Sequence, residues 1–215
     1  ASGPALVGGG SRPQPGEITL AHHGILFLDE LPEFDRKVLE VLREPLESGE
    51  IVIARARDKV RFPARFQLVA AMNPCPCGYL GDPSGRCRCS AEQIQRYRSK
   101  LSGPLLDRID LHLHVAREAT ALHANPDSGT SSAQAAATVA AARQRQEQRQ
   151  GGANAFLDLQ QLRQHCGLSD DDQHWLESAC ERLGLSLRAA HRLLKVARTL
   201  ADLDAVDAIQ RSHLA

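Results

Sequence analysis

Gly24-Ile25-Leu26-Phe27-Leu28-Asp29-Glu30 is the stretch that decides the fold of this 215-residue chain. Its four consecutive apolar residues predict a strand that is buried on both faces, as strands of parallel sheets are. Two carboxylates follow where that strand would end, and ligands of α/β sheets bind at the carboxyl ends of strands. In a nucleotide hydrolase the first acid holds Mg²⁺ and the second polarises the attacking water. The alternative is a strand that ends in an ordinary polar turn.

The composition of the chain sets wider limits. Lys plus Arg and Asp plus Glu are equal at 26 each, so the net charge indicates no class of partner. No apolar run reaches the length of a bilayer span, and no signal peptide opens the sequence. Four of the six cysteines lie close together, which is more typical of a metal site in a reducing compartment than of a disulfide framework. We therefore expect a cytoplasmic protein without membrane contact.

The order of predicted elements divides the chain into two parts joined by a linker. In the first part, residues 1–116, strands are predicted at 17–21, 25–28, 67–72 and 110–115. Helices are predicted there at 35–48, with a kink at Pro45, and at 92–101. Residues 117–130 have the composition of a linker. Residues 131–215 predict helices at 132–150, 157–166, 170–183, 187–203 and from 204 to the end, so the fold class is α/β followed by an all-helical module.

Two further polar residues are candidates for the same site. Asn73 follows the second buried strand as Asp29 follows the first, so its amide would lie near the carboxylates if the two strands are neighbours. Taken alone, an Asn-Pro pair is more typical of a turn. Arg108 could neutralise a phosphate that is bound by a neighbouring subunit, as arginine fingers do. The alternative for Arg108 is a salt bridge to Asp107 or Asp110.

Basic residues recur at every second position of a predicted hairpin over residues 50–66. They are Arg55, Arg57, Lys59 and Arg61. In an extended chain this period places all four on one face, where they can follow a nucleic-acid phosphate backbone without reading its sequence. The alternative is a solvated edge whose charges prevent pairing with other strands.

Two Cys-x-Cys pairs, Cys75 with Cys77 and Cys87 with Cys89, enclose a loop rich in Gly and Pro. Four thiolates brought together predict a tetrahedral Zn²⁺ site, and metal binding would fold a loop that has little apolar content of its own. An Fe–S cluster is a weaker alternative, since sets of four cysteines serve both. The second alternative is a chance cluster of free thiols that binds no metal.

Several of these segments together resemble a known family. Residues 16–34, which include the opening strand and its acids, are similar to the Walker B region of magnesium-chelatase-like AAA+ ATPases. The segments Ala70-Ala71-Met72-Asn73-Pro74-Cys75-Pro76-Cys77-Gly78 and Leu105-Leu106-Asp107-Arg108 narrow the resemblance to the ComM/YifB branch. Residues 185–192 and 197–199 resemble its C-terminal helical lid. The resemblance implies a partial AAA+ P-loop NTPase sheet followed by that lid.

By position, the resemblance assigns Asp29 and Glu30 to Walker B, where they would bind ATP with Mg²⁺. It assigns Asn73 to sensor 1, Arg108 to the arginine finger and Arg188 to sensor 2, with Arg192 one turn later as a competitor for that role. The basic hairpin falls where related ring ATPases, including the MCM helicases, carry a hairpin that faces the pore. The implied partner is therefore single-stranded or branched DNA, and the implied assembly is a hexamer.

A phosphate-binding loop of the form Gly-x-x-x-x-Gly-Lys-Ser/Thr does not occur in the sequence. We therefore expect the later part of a longer protein, inactive in ATP hydrolysis by itself. The resemblance implies that the whole protein is an ATPase and DNA helicase that promotes branch migration in transformation or recombination. The alternatives are a magnesium-chelatase-like motor subunit that acts on a protein partner, and a non-catalytic zinc-stabilised DNA-binding module.

Overall fold

The computed structural model describes residues 3–9, 14–54, 59–115 and 129–215 of the chain. The chain separates into two compact units, Ala1–Arg117 and Glu118–Ala215, and each unit has a hydrophobic core of its own. No helix within these described ranges is both long and apolar enough to cross a lipid bilayer.

The first unit combines pairs of strands with short helices. Its strands are β1 (Gly8–Gly9), β2 (Gln14–Pro15), β3 (Ile25–Leu28), β4 (Glu50–Ala54), β5 (Lys59–Pro63) and β6 (Gln67–Ala70). Its helices are α1 (Gly3–Val7), α2 (Glu17–Leu20), α3 (Arg36–Val41), α4 (Arg43–Ser48), α5 (Ala91–Arg98) and α6 (Gly103–Leu106). Strands β3 and β6 pair in parallel, whereas β1–β2 and β4–β5 are antiparallel pairs.

Strand β3 buries one face, so the prediction of a strand buried on both faces is wrong for the described chain. Leu26 and Leu28 are 8% and 5% exposed, whereas Ile25 and Phe27 on the opposite face are 64% and 58% exposed. The prediction of a buried β6 fails as well, since Val69 is 39% exposed. The reason is that the described core residues pack against the Leu26–Leu28 side of the pair.

The helix predicted over residues 35–48 is two helices, and the proline explains the interruption. Pro45 has no N–H to donate to the carbonyl of Val41, four residues earlier, and its ring clashes with that carbonyl. Helix α3 accordingly ends at Val41 and α4 starts at Arg43. The two predicted ends are confirmed, because the Asp35 carboxylate accepts the Lys37 N–H at 2.7 Å and Gly49 stops α4 with a φ of 72°.

Two predicted strands of the first unit are absent from the described structure. Residues 17–20 form helix α2 instead of a strand, because this single turn places Ile18 in the core with no exposed surface. Residues 110–115 are irregular, since no described strand lies beside them to satisfy their backbone groups. As a result Leu113 and Val115 are 86% and 90% exposed.

The predicted hairpin is present as β4 and β5. Its register pairs Glu50 with Pro63 at the base and Ala54 with Lys59 at the described end. Ile51 and Ile53 of β4 are buried and fix which face of the hairpin lies on the core. The predicted turn begins beyond Ala54, and residues 55–58 lie outside the described residues.

The second unit is helical. Its helices are α7 (Ser132–Gln150), α8 (Leu159–His165), α9 (Asp170–Leu183), α10 (Leu187–Leu203) and α11 (Arg211–Leu214), with a 3₁₀ turn at Asn154–Phe156. Polar residues cap four of the helices by accepting an N–H of the first turn, as their type predicts; they are Ser131, Asp158, Ser169 and Ser186. The helix predicted from residue 204 to the end is wrong over most of its length, because only α11 is helical there.

A buried carboxylate holds the helical unit together. Asp202 of α10 is 1% exposed and accepts hydrogen bonds from Arg149 at 2.6 Å and from the Asn154 amide at 2.8 Å. Arg198, one turn earlier on the same helix, lies 3.0 Å from the same carboxylate. Burial by itself would raise the pKa of Asp202, but these hydrogen bonds and the two arginine charges outweigh it and lower the pKa.

We predict that Asp202→Ala lowers the free energy of unfolding by about 3–5 kcal/mol, because it leaves the arginines without their buried counter-charge. Urea unfolding followed by the fluorescence of Trp175, the single tryptophan of the chain, measures the loss. Glu181→Ala, an exposed substitution on α9, is the control and should stay within about 0.5 kcal/mol of the wild type. Equal stability of the two variants would contradict the role of Asp202.

The same carboxylate sets a pH dependence. Because the pKa of Asp202 in the folded unit lies below its ordinary value of 3.8, its stabilising contribution is present above that pH. The contribution disappears as the pH falls through the folded pKa. The difference in unfolding free energy between wild type and Asp202→Ala should therefore be constant near neutrality and shrink below about pH 4.

Candidate functional site

The two acids after β3 lie in a bulge at the end of the strand. Ala71 N–H donates to the Leu28 carbonyl, and Leu31 N–H donates back to the Ala71 carbonyl, both at 2.9 Å. A regular parallel ladder would place that second donor at residue 30, so the strand carries one extra residue here. The bulge contains Asp29 and Glu30, and both are exposed.

Glu30 adopts an unusual backbone conformation. Its φ and ψ are 51° and 47°, the left-handed region, which costs an L-residue about 1–2 kcal/mol. Its N–H turns away from the ladder and donates to the Asp29 carboxylate at 2.8 Å. Such strained residues are concentrated at functional sites, where the surrounding structure holds them in place.

Asn73 lies at the same edge of the sheet as the acid pair. Because β3 and β6 are neighbours with Leu28 opposite Ala70, the condition on which the prediction for this asparagine depends is met. Both Asp29 and Asn73 follow the carboxyl ends of paired parallel strands, which is where α/β sheets bind ligands.

Tyr97 of α5 joins these groups, and sequence reasoning missed it. Burial raises the pKa of its hydroxyl, and so do the charges of Glu33 and Glu30, while a backbone hydrogen bond with Asn73 acts in the opposite direction. The buried Tyr97 side chain is therefore subject to the negative charge of these acids. Nothing in the sequence around this tyrosine distinguishes it from an ordinary core residue of an amphipathic helix.

Two cations of the α5 region also contact this end of the sheet. The ammonium of Lys100 lies 3.4 Å from the Glu33 carboxylate and 5.8 Å from the centre of the Tyr97 ring. The guanidinium of Arg98 donates twice to the Pro74 carbonyl at 3.3 Å, so α5 is fastened to the residue that follows Asn73.

The four clustered cysteines come together as predicted. Their sulfur atoms all lie within 4.8 Å of one another, and all four are free thiols; they are Cys75, Cys77, Cys87 and Cys89. The sulfur of Cys75 is 3.4 Å from that of Cys77 and 3.8 Å from that of Cys87. Zn–S bonds of about 2.3 Å in a tetrahedron separate the sulfurs by about 3.8 Å, so the arrangement fits a four-coordinate metal.

The thiols of the cluster differ in their titration. Backbone hydrogen bonds from Tyr79 and Arg88 lower the pKa of Cys77 to about 6, so that a thiolate is available near neutral pH. The hydrogen bond with Cys77, together with burial, raises the pKa of Cys89 to about 12. A divalent cation at the centre of the cluster would stabilise all four thiolates together.

The basic hairpin presents part of the predicted cationic face. Lys59 and Arg61 are exposed on one face of β5, while Val60 and Phe62 on the other face are half-buried. Arg61 lies 3.7 Å from the Glu50 carboxylate across the hairpin, with 69% of its side chain exposed. Arg55 and Arg57 belong to the same predicted row, and they lie outside the described residues.

Arg108 follows α6 and is held against α4. It forms an ion pair with Glu47 and donates to the carbonyl oxygens of Arg43, at 3.2 Å, and Pro104. Its side chain is 15% exposed. The sequence suggests Asp107 and Asp110 as alternative partners, and it carries no signal for Glu47, which lies 61 residues earlier in the chain.

Arg188 and Arg192, the two candidates for sensor 2, belong to the second unit. Arg188 is exposed in the first turn of α10, which the capping residue Ser186 precedes. Arg192 follows one turn later and is half-buried.

Comparison with known proteins agrees with the resemblance in both units. The family model "Magnesium chelatase, subunit ChlI" matches residues 1–122, and "Magnesium chelatase, subunit ChlI C-terminal" matches residues 129–215. Competence protein ComM of Haemophilus influenzae is 54% identical over 217 residues, which cover 100% of this chain and 42% of ComM. YifB of Escherichia coli is 54% identical over 212 residues, or 98% of this chain and 41% of YifB.

A more distant relative matches a shorter segment. The magnesium-chelatase 38 kDa subunit of Acidiphilium rubrum is 36% identical over 70 residues, which cover 33% of this chain and 20% of that subunit. The chain thus spans about two fifths of the length of ComM and YifB, with 42% and 41% covered. With both units matched by the family models, the chain belongs to the magnesium chelatase ChlI family and, within it, to the ComM/YifB branch.

Proposed function

We propose that the whole protein is a ring-forming AAA+ ATPase that couples ATP hydrolysis to the remodelling of DNA. The observation that carries this proposal is the bulged acid pair after β3, which shares one sheet edge with Asn73. Asp29 would hold the Mg²⁺ of bound ATP, Glu30 would polarise the attacking water, and Asn73 would orient that water or contact the terminal phosphate.

A ring supplies the remaining groups of the reaction. Arg108 would neutralise charge on the phosphate bound by the neighbouring subunit, and a rotation that brings each arginine to the next site closes into a ring. We propose a hexamer. Arg188 would act as sensor 2, so that the helical unit responds to the presence of the terminal phosphate.

DNA is the substrate that best fits the hairpin. A row of cations on an exposed strand follows a phosphate backbone without sequence preference, which suits single-stranded or branched DNA. ComM is named as a competence protein, which is consistent with branch migration during transformation or recombination. Helicase activity is the specific form of remodelling that we propose.

We further propose that the four cysteines hold a structural Zn²⁺. The sulfur distances fit a tetrahedral site, and the loop between the two pairs has little apolar content with which to fold by itself. Free thiols in this number favour a reducing compartment, and we propose the cytoplasm.

The first test is DNA-stimulated ATP hydrolysis by the whole protein. Glu30→Gln should reduce the stimulated rate by at least about a hundredfold while ATP still binds, because the amide cannot act as the base for the attacking water. Glu92→Gln, which removes an exposed carboxylate in the first turn of α5, is the control and should retain most of the rate.

Two outcomes of that assay would change the proposal. Undiminished turnover in Glu30→Gln would remove the acid pair from catalysis. Hydrolysis that depends on Glu30 but does not respond to DNA would favour the magnesium-chelatase-like motor, whose partner is a protein.

The second test concerns the hairpin. Alanine at both Arg57 and Lys59 should weaken binding to single-stranded DNA. It should also reduce the slope of log K against log salt by about 0.7 for each phosphate that is no longer neutralised. Alanine at Arg163 and Arg182, two exposed cations of the helical unit, removes the same charge elsewhere and should leave the slope unchanged. An equal reduction in both double variants would indicate a general charge effect.

The third test concerns the metal. Elemental mass spectrometry of the purified whole protein should find about one zinc per subunit, and Cys75→Ser should remove most of it. Cys180→Ser lies outside the cluster and should keep the metal. Iron in place of zinc would support the Fe–S alternative, and equal metal content in both variants would exclude the cysteine cluster as the ligand set.

A further inference from the structure

The three hydrogen bonds of Arg108 leave it poorly placed to act on a neighbouring subunit. Its Nε donates to the Arg43 carbonyl, Nη1 to the Pro104 carbonyl and Nη2 to the Glu47 carboxylate. Each of its three nitrogen atoms therefore has an acceptor within the same subunit. Three of the five N–H groups of the guanidinium are engaged, and its charge is paired with Glu47, so the loss of these contacts would favour binding to a phosphate of a neighbour.

Two of those three acceptors, the Arg43 carbonyl and the Glu47 carboxylate, belong to α4. The C-terminal end of α4 is hydrogen-bonded to the hairpin. The Ser48 hydroxyl donates to the Glu44 carbonyl at 2.9 Å and accepts the Glu50 N–H at 3.2 Å, so it bridges the helix and β4. Gly49 alone separates the two elements, and its carbonyl accepts the Ala64 N–H at 2.8 Å from the end of β5.

The join at Gly49 is closely packed. A Cβ atom on Gly49 would lie 2.8 Å from the side chain of Arg65, and the φ of 72° is one that residues with side chains rarely adopt. At its other end α4 is separated from α3 by the interruption that Pro45 causes. Helix α4 is therefore joined to the hairpin through the single residue Gly49, as it is joined to α3 through Leu42.

We propose that the Glu47–Arg108 ion pair holds the arginine finger back until DNA binds to the hairpin. This inference rests on the proposed function, because it requires both the DNA contact and the action of Arg108 on a neighbour. DNA that displaces β4 and β5 displaces α4 with them, which separates Glu47 from Arg108 and frees the guanidinium. Hydrolysis in the neighbouring subunit then becomes dependent on DNA held by this one.

The test is the ratio of ATPase rates with and without single-stranded DNA, measured on the whole protein. Glu47→Gln keeps the shape of the side chain and removes its charge. It should raise the DNA-independent rate by about fivefold, the factor expected from losing one partly exposed ion pair, and bring the ratio towards one. The affinity for DNA should stay within about twofold of the wild type, since Glu47 does not belong to the cationic row.

Three controls make the result specific. Glu44→Gln removes an exposed carboxylate from the same helix and should leave the ratio unchanged. The double variant Glu47→Gln with Arg108→Ala should lose the gain, because the gain must pass through Arg108. Glu47→Asp, which keeps the charge but shortens the side chain by one methylene, is a second way to weaken the pair and should act in the same direction.

The outcomes separate the inference from the function on which it rests. A wild-type protein whose hydrolysis ignores DNA overturns the proposed function and this coupling with it. If DNA stimulates the wild type and the ratio of rates with and without DNA is the same in Glu47→Gln, the inference alone is overturned. A fall in both rates together, at unchanged ratio, would show that Glu47 only stabilises the fold.

Discussion

The parallel pairing of β3 with β6 is the constraint on which the rest of the first unit depends. Parallel strands cannot be joined by a tight turn, so the chain between them must cross over. Here the crossover consists of α3, α4 and the hairpin, and their apolar residues pack on the buried face of the pair. The same pairing brings the ends of both strands to one edge, where Asp29 and Asn73 follow. One geometric requirement thus produces the core, the acid edge and the position of the hairpin.

Local signals in the sequence predicted the ends of several helices well, and the surroundings of each element less well. Asp35 and Gly49 set the ends of a helical segment by hydrogen bonding and by a left-handed φ, and both properties belong to the residue type. The exposure of Ile25 and Phe27 was not predictable, because an apolar sequence shows what a strand is suited to contact and not which layers are present. Residues 110–115 failed as a strand for the same reason, since strand structure needs a partner.

The same distinction between local signals and distant contacts applies to the residues of the candidate site. The roles expected of Asp29 and Glu30 come from their position at the end of an apolar run. The spacing of the four cysteines predicts that they form a metal site. Tyr97 and Glu47 carry no such signal, because their importance arises from contacts with residues far away in sequence. The bulge at Glu30 could not be predicted from the sequence either, since it depends on which residue donates to the Ala71 carbonyl.

The cysteine loop and the acid edge are parts of one framework. The loop begins at Cys75, two residues after Asn73, and its last cysteine, Cys89, precedes Ser90, which caps α5. Helix α5 then returns to the start of the loop, where the Arg98 guanidinium donates to the Pro74 carbonyl. The path from the sheet through the cysteines and the helix therefore returns to Pro74, the residue after Asn73. Because these hydrogen bonds tie the residue after Asn73 to the helix that follows the cysteine loop, the loop contributes together with β6 to the placement of Asn73.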